Sequence, residues 1–372
     1  MGMESTRFRQ LVTAHGPFAS VYFDDSHDTE DAAVQLDIKW RDLRSELEKQ
    51  GVGSSIVDNL ERAVLEAPPP VGRSGRALIA GADGLLMDEH LIRPTTSTVV
   101  RVSELPYIVP VLEQGDERLV YAVVAVDHEG GDVTVHRRSR ETSDSVDGGG
   151  YPVHKASSAE NAGYGDPQLR AEEQSRKNIR AVAERVTKLV DDDAVDLIFV
   201  VGEVRSRSDL LSELPERAAA RAVPLDVGAR HSGSHDDELQ QAIDEQLLKH
   251  RLATMDAAAQ RFTAEIGRGS GLAAEGLDAV CSALRQGAVE TLIIGDIGDA
   301  TVVANDDMTI VAPNPNVLSE QGAAPARTLR ADEALPLAAI AVGADLVRTD
   351  ERIAPADGIA AVLRFAPTLR ES

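Results

Sequence analysis

Apolar side chains recur along this chain in two alternating rhythms, and the alternation predicts an α/β protein. Residues 18–24 (Phe-Ala-Ser-Val-Tyr-Phe-Asp) read as a strand. From Thr29 to Gln50 the apolar positions Ala33, Leu36, Trp40, Leu43 and Leu47 step by three or four, the spacing of one helix face. Gly51 and Gly53 end that helix. Ser54 or Ser55 caps a second one running to about Glu66, and Pro68-Pro69-Pro70 stops it. Residues 76–80 and 85–92 read as a hairpin around Gly81-Ala-Asp-Gly84, with strand-like segments continuing to about Val111. The turn-rich Gln114-Gly-Asp-Glu117 precedes a hairpin of residues 118–127 and 131–138, turned at Glu129-Gly-Gly131. Pro167 opens a helix to about Val190, with Leu169, Ile179, Val182, Val186 and Leu189 on its apolar side. The buried-strand run Val195–Gly202, helix 206–220 and strand 222–228 form a βαβ-like unit, which favours parallel pairing. Ser234 and Asp237 resemble a capping box at the start of a long helix to about Ile266. Beyond it come helix 273–286, strand 289–296, two short strands, a Pro/Gly-rich loop (313–326), helix 331–343 and strands 345–349 and 359–365.

Between the second hairpin and the Pro167 helix lies a stretch, 141–167, with no helical or strand period. A structureless insertion of this length inside a compact domain is uncommon and usually functional or disordered. Doubled back on itself it would reach roughly 40 Å from its stem, at about 3.3 Å per residue. It reads as a flexible probe on a rigid mount.

Charge sharpens that picture. The 372 residues carry 38 basic and 62 acidic side chains, a formal net charge of −24. Such acidity argues against indiscriminate phosphate binding, which depends on Lys and Arg. Residues 133–190 differ: ten basic and eight acidic side chains leave a local surplus of two positive charges. Within this region Tyr151, His154 and Tyr164 are suited to stacking on unpaired RNA bases. Arg137, Arg138, Arg140 and Lys155 are suited to phosphate contact. Gly148, Gly149 and Gly150 would let backbone approach RNA closely. The plainer reading is a surface loop with ordinary solvated charges. Arg205, Arg207, Arg217, Arg221 and Arg230 would extend this basic surface or, on the plainer reading, are solvated helix ends.

Other chemistry is weakly signalled. Cys281 is the one cysteine, lies in an apolar helix and reads as a small core residue, so no intrachain disulfide forms. His231 and His235, with Asp236 and Asp237, straddle a glycine break and read as a helix cap, not as a metal site. Gly267-x-Gly-x-Gly271 follows a helix, whereas a dinucleotide loop must follow a strand. Asp296 and Asp299 read as a turn. No apolar run approaches 18 residues and no signal-peptide core opens the chain, so a cytoplasmic protein is expected. No catalytic residue, metal or cofactor is expected.

Three segments, in this order, resemble the archaeal and eukaryotic class-I release factor and Pelota family. Glu173-Gln-Ser-Arg-Lys-Asn-Ile-Arg-Ala-Val-Ala-Glu-Arg-Val186 is similar to the family's basic middle-domain helix. Val195–Glu203 with its downstream helix and strand is the second. Gly287-Ala-Val-Glu-Thr-Leu-Ile-Ile294, paired with the closing Gly358-Ile-Ala-Ala-Val-Leu-Arg-Phe365, resembles the family's C-terminal domain. The likeness covers about residues 115–372, and the first 115 fit in element order only. It implies a three-domain release-factor-like architecture of mixed sheets flanked by helices: 1–115 on the decoding-centre side, 116–250 with its loop toward the peptidyl transferase centre, and 251–372 facing a GTPase.

The departures from the family decide the function. A family release factor carries Gly-Gly-Gln at the tip of the middle-domain loop. Here Gly148-Gly149-Gly150 is followed by Tyr151, and an ungapped count back from Lys177-Asn178 reaches Asn161-Ala162-Gly163. Gln168, at the helix start, is a poor substitute. The family's stop-codon tetrapeptide Asn-Ile-Lys-Ser has only Asp37-Ile38-Lys39-Trp40 as its nearest match. Bacterial members lacking both motifs include ribosome hibernation factors, expressed in the stress response. The resemblance therefore implies binding to the rRNA of the ribosomal A site without peptide release, with elongation factor Tu or another translational GTPase as a partner and no membrane. Two alternatives stand beside it: a rescue or release factor hydrolysing peptidyl-tRNA with a different loop, and an adaptor acting through its C-terminal domain alone.

Overall fold

The computed structural model describes residues 8–27, 31–67, 74–91, 94–114, 120–137, 140–146, 167–227, 236–306, 308, 310–349 and 353–367. The chain divides into two compact units, one formed by Met1–Asp116 with Leu252–Ser372 and the other by Glu117–Arg251.

The N-terminal segment places helix α1 (Arg9–Thr13) before strand β1 (Phe18–Asp24). Helices α2 (Ala32–Lys49) and α3 (Ser54–Glu66) follow, then strands β2 (Gly75–Gly81), β3 (Gly84–Leu91) and β4 (Val99–Ser103). The strands form an antiparallel sheet in the order β3-β2-β1-β4. Both faces of β1 are covered, so apolar side chains run through it without polar alternation. Ala19, Val21 and Phe23 pack under Trp40, Leu43, Leu47, Ile56 and Leu60 of the two helices. Phe18 and Tyr22 point the other way, into a second core. Helix α4 (Val109–Gln114) replaces the strand expected up to Val111. Pro110 sits in its first turn, where a missing amide costs nothing. Ile108, Val109 and Val111 are drawn into the core, and that burial outweighs the extended preference of Val-Pro-Val.

The middle unit is built on strands β5 (Tyr121–Val126), β6 (Gly131–Arg137) and β7 (Arg140–Val146), helix α5 (Pro167–Asp191) and strand β8 (Leu197–Gly202). Helices α6 (Val204–Glu213) and α7 (Glu216–Ala219), strand β9 (Ala222–Pro224) and the first part of helix α8 (Asp236–Arg268) complete it. The sheet order is β7-β6-β5-β8-β9, with β5, β8 and β9 mutually parallel, as the βαβ pattern predicts. The expected 206–220 helix breaks at Leu214-Pro215, because proline lacks the amide a continuing helix needs. On one face Val124, Val133 and Ile198 meet Ile179, Val182 and Val186 of α5. On the other Phe199 and Val201 meet Ile243 of α8. Gly202 has φ +115°, and a Cβ built there would stand 2.0 Å from the Val126 carbonyl oxygen. Only glycine lets the ends of β5 and β8 close so tightly.

The C-terminal segment contains β10 (Ala273–Glu275), α9 (Gly276–Arg285), β11 (Val289–Ile294), β12 (Thr301–Ala304) and β13 (Val311–Ala312). It continues with α10 (Pro315–Glu320), β14 (Arg327–Arg330), α11 (Ala331–Ala341), β15 (Asp345–Arg348) and β16 (Ile359–Leu363). Its strands make two sheets, β10-β16-β11-β15 and β13-β12-β14. The Pro/Gly-rich 313–326 stretch is not all loop. Asn314 caps α10 by accepting a 3.0 Å hydrogen bond from the Val317 amide, and Pro315 occupies the first helical position.

Residues of the N- and C-terminal segments share one apolar core, in which Phe8, Leu11, Tyr22, Ile79 and Ile108 cluster with Leu292, Leu335, Ile340 and Ala361. A buried charge network lies beside it. Arg101 Nη1 on β4 donates to Asp332 Oδ2 at 2.9 Å and to Glu333 Oε1 at 3.2 Å, both in the first turn of α11. Ser103 Oγ donates to Glu333 Oε2 at 2.8 Å. The Arg101 guanidinium lies 3.5 Å from the centroid of the Tyr107 ring. Arg330 clamps the outer side of Asp332 through Nε and Nη2, both at 3.0 Å. Burial raises the Glu333 carboxyl above its usual range, against the lowering effect of Ser103 and Arg101.

Three outcomes are expected of this packing. Arg101→Ala leaves the buried Glu333 carboxylate without its cation, while Asp332 keeps Arg330, and destabilises the fold by roughly 3–5 kcal/mol in denaturant unfolding. Gly202→Ala combines a backbone clash with a left-handed conformation and costs more than about 2 kcal/mol in the same assay. Cys281 is fully buried and its thiol is pushed up to about 12, mainly by desolvation. A thiol reagent at pH 8 therefore leaves the native protein unlabelled and modifies one cysteine per chain after unfolding.

Candidate functional site

The mount of the glycine-rich segment is the layer formed by α5 and the β5-β6-β7 part of the middle sheet. Helix α5 can lie close because β6 begins with glycine: a Cβ at Gly131 would stand 3.0 Å from a Val182 methyl. The β5–β6 turn is closed by Asp127, whose Oδ1 accepts from the amides of Glu129 at 2.7 Å and Gly130 at 3.0 Å. Asn178, buried in α5, ties the helix to this turn. Its Nδ2 donates to the His128 carbonyl oxygen at 3.1 Å, and its Oδ1 accepts from Gln174 Nε2 at 2.9 Å. The part of α5 before Asn178 therefore runs past the end of the sheet, by about 16 Å at 1.5 Å per residue. On this stretch Arg176 and Lys177 are exposed, and neither forms an ion pair among the described residues.

Strand β7 corrects the expectation that 141–167 is structureless throughout. Residues 140–146 pair with β6 along their whole length, from Arg137 opposite Arg140 to Gly131 opposite Val146. The sequence hides this strand because it is polar on both faces. On the face toward α5, Asp144 takes the place an apolar residue would fill, and its Oδ2 accepts from Arg185 Nε at 3.0 Å. The Thr134 and Ser143 hydroxyls lie 3.2 Å apart across the pair. Exposure of the outer edge permits such a composition.

The register separates residues that the sequence places side by side. Arg137 and Arg140 occupy one end of the sheet, and Val146, from which the glycine-rich segment departs, occupies the other. Arg138, Gly148, Gly149, Gly150, Tyr151, His154, Lys155 and Tyr164 lie outside the described residues. Of the ten residues assigned to RNA contact, the backbone is thus described for Arg137 and Arg140, and these two are paired with each other at a distance from the glycine stem.

Several arginines read as solvated helix ends are engaged instead. Arg207 is buried, bonded to the Leu225 carbonyl and, through Nη2, to Asp226 Oδ1 at 2.9 Å. Arg217 grips Asp191 with Nε at 2.6 Å and Nη2 at 2.9 Å, holding the Asp191 carboxyl below its ordinary range. Arg221 bonds Asp193 Oδ1 at 3.2 Å and the Val195 carbonyl at 2.6 Å. Arg205 stands 3.9 Å from Asp209. Arg230, His231 and His235 lie outside the described residues. Asp296 and Asp299 form the expected turn: Asp296 Oδ1 accepts from the Gly298 amide at 3.1 Å, and Asp299 pairs with Arg330 at 2.9 Å. An open groove of about 340 Å³ between α5 and the α6–α7 corner has balanced walls, Arg180, Lys188 and Arg217 against Glu184, Asp191 and Glu213. Among the described residues no group of three acids, histidines or cysteines is arranged to hold a metal ion, and no helix is long and apolar enough to cross a membrane. The residues that position the mount, Asn178, Arg185 and Asp144, carry no local sequence signal beyond lying within the helix and the polar stretch.

Residues 120–268, from the edge of β5 to the last residue of α8, match the family described as bacterial archaeo-eukaryotic release factor family 2. The chain is 51% identical over 368 residues to "Uncharacterized protein Rv2629" of Mycobacterium tuberculosis strain H37Rv, covering 99% of this chain and 98% of that one. The corresponding protein of strain CDC 1551, MT2704, matches to the same extent. Among solved structures, Archaeoglobus fulgidus Pelota is similar at 14% identity over 96% of this chain and 91% of its own, with a TM-score of 0.35. Archaeal Pelota in a ribosome-bound assembly with ABCE1 is similar at 14% identity over 98% and 95%, with a TM-score of 0.40. The chain therefore belongs to one family with the mycobacterial protein Rv2629 over its whole length, and its middle unit carries the pattern of bacterial archaeo-eukaryotic release factor family 2.

Proposed function

We propose that this protein is a non-catalytic ribosome hibernation factor of the Balon kind, which occupies the A site and shields the decoding and peptidyl transferase centres. The observation that carries the reading is chemical. In a release-factor-like middle unit, the glycine-rich segment reads Gly148-Gly149-Gly150-Tyr151, without the glutamine that helps a terminator place water at the peptidyl-tRNA ester. The stop-codon tetrapeptide is missing as well. What such a molecule keeps is shape, and its mechanism is occupancy: a protein in the A site excludes tRNA and covers the catalytic RNA. Tyr151, His154 and Tyr164 would stack on unpaired bases of the 23S rRNA, each contributing about 1–3 kcal/mol. Lys155, with Arg176 and Lys177 on the projecting part of α5, would meet phosphates. The C-terminal segment would face elongation factor Tu or another translational GTPase.

Purified protein incubated with vacant bacterial ribosomes is expected to co-sediment at low salt, and to release less than a detectable fraction of peptide from stalled peptidyl-tRNA complexes. Absence from the ribosomal pellet contradicts the proposal. Release of peptide that is lost on changing residues 148–164 assigns a hydrolase instead.

A further inference from the structure

We infer that the outer face of the α2–α3 hairpin is a protein-docking surface for aliphatic side chains set among lysines and arginines, and that on the ribosome it meets a basic ribosomal protein, not rRNA. The inference rests on the ribosome-binding reading above and names the kind of partner that one face of the N-terminal segment takes.

Helix α2 turns Ala32, Leu36, Trp40, Leu43 and Leu47 toward the sheet. Val34 and Ile38 lie about 200° round the helix from Leu36 and Trp40, at roughly 100° per residue. They sit one turn apart on the side away from the sheet, 60% and 52% exposed. Leu65 of α3 is exposed as well. Glu61 accepts from Trp40 Nε1 at 2.9 Å and from Arg44 Nη1 at 2.8 Å, so it is level with the middle of α2. The short 50–53 link turns α3 back along α2. Leu65, one turn beyond Glu61, is therefore level with Ile38. Exposed aliphatic residues scattered singly are ordinary, whereas three at one end of a helix pair make a patch. Valine and isoleucine are also poorer helix formers than the alanine, glutamate or lysine that suit an exposed position, so helix formation gives no reason for them.

Charge decides what covers the patch. Residues 31–66 carry eight acidic and five basic side chains. Three of the five bases are already held by acids: Arg44 by Glu48 and Glu61, Lys39 by Asp24, and Lys49 by Glu46. Asp37, Asp42, Asp58 and Glu66 are exposed and form no ion pair among the described residues, against Arg41 and Arg62 in the same condition. RNA is the wrong partner for this face. The surplus acids repel phosphate, and the one aromatic ring of the hairpin, Trp40, is buried and offers no base a surface to stack on. A second copy of the chain is wrong as well, because a two-fold contact would set acid against acid. A basic protein surface suits both features. Its lysines and arginines meet the free carboxylates at the rim, and its aliphatic side chains cover Val34, Ile38 and Leu65 at the centre.

The test measures the dissociation constant of the full chain on purified vacant 70S ribosomes, for the wild type, Asp37→Lys/Asp42→Lys and Val34→Ala/Ile38→Ala. The charge reversal is expected to weaken binding about tenfold, since it sets lysines against a basic partner. The alanine pair is expected to weaken it about tenfold or more through lost apolar burial, while its melting temperature stays level or rises because alanine is the better helix former. A photo-crosslinking side chain placed at Ser45, exposed on the same helix, is expected to label a basic ribosomal protein. A charge reversal that tightens binding, or a crosslink to rRNA, overturns the inference by showing phosphate at this face. Unchanged affinity in either variant, on a wild type that does bind, overturns it too and leaves the ribosome-binding reading standing. A wild type that does not bind overturns both.

Discussion

The placement of every candidate RNA contact depends on how one polar edge strand is held to its neighbour. Strand β7 has almost no apolar side chains with which to specify its register, and a slip of one residue would turn each of its side chains to the other face. The specification comes from the ladder with β6 and from the Arg185–Asp144 ion pair, which lets α5 hold the strand from above. Exposed pairs of this kind contribute little energy. Its value lies in direction, since only one register puts Asp144 under Arg185. That register places Val146 at the Gly131 end of the sheet, and Arg137 and Arg140 at the opposite end.

Around this lies a scaffold whose stiffness comes from close approaches that only small residues allow. Gly131 brings α5 down onto β6, and Gly202 lets β8 close against β5. The other compact unit solves a different problem. Its N- and C-terminal segments are far apart in sequence and share one apolar core, and the Arg101–Asp332–Glu333 network supplies direction to an interface that apolar packing alone would leave free to slide. Burying those acids at a helix N-terminus, where the helix dipole favours negative charge, reduces the cost of keeping them there.

Where one physical signal dominates, the sequence was legible. Strand β1 runs from Phe18 to Asp24 as its composition indicates, and the parallel pairing of β5, β8 and β9 follows from the alternation of strand and helix. Where two signals compete, it was not. Val109-Pro-Val111 has strand-like residues, yet core burial makes it helical. Thr142-Ser-Asp-Ser145 has no period, yet it forms a strand because an edge needs only one neighbour. Arg207 reads as a surface charge and is buried, because the Leu225 carbonyl and Asp226 receive it. At the candidate site, residue types pointed to RNA, while their distribution between two ends of a sheet depended on pairing that no local pattern encodes. The missing glutamine after Gly150, by contrast, is a fact of sequence alone.

Everything proposed for this molecule turns on where it sits. A cryo-EM reconstruction of the purified protein on vacant 70S ribosomes tests that most directly. The account predicts density for the middle unit in the ribosomal A site on the 50S side, with residues 147–166 entering the peptidyl transferase cavity and the N-terminal segment at the decoding centre. Density elsewhere on the ribosome, or a cavity left open while the protein is bound, would contradict it.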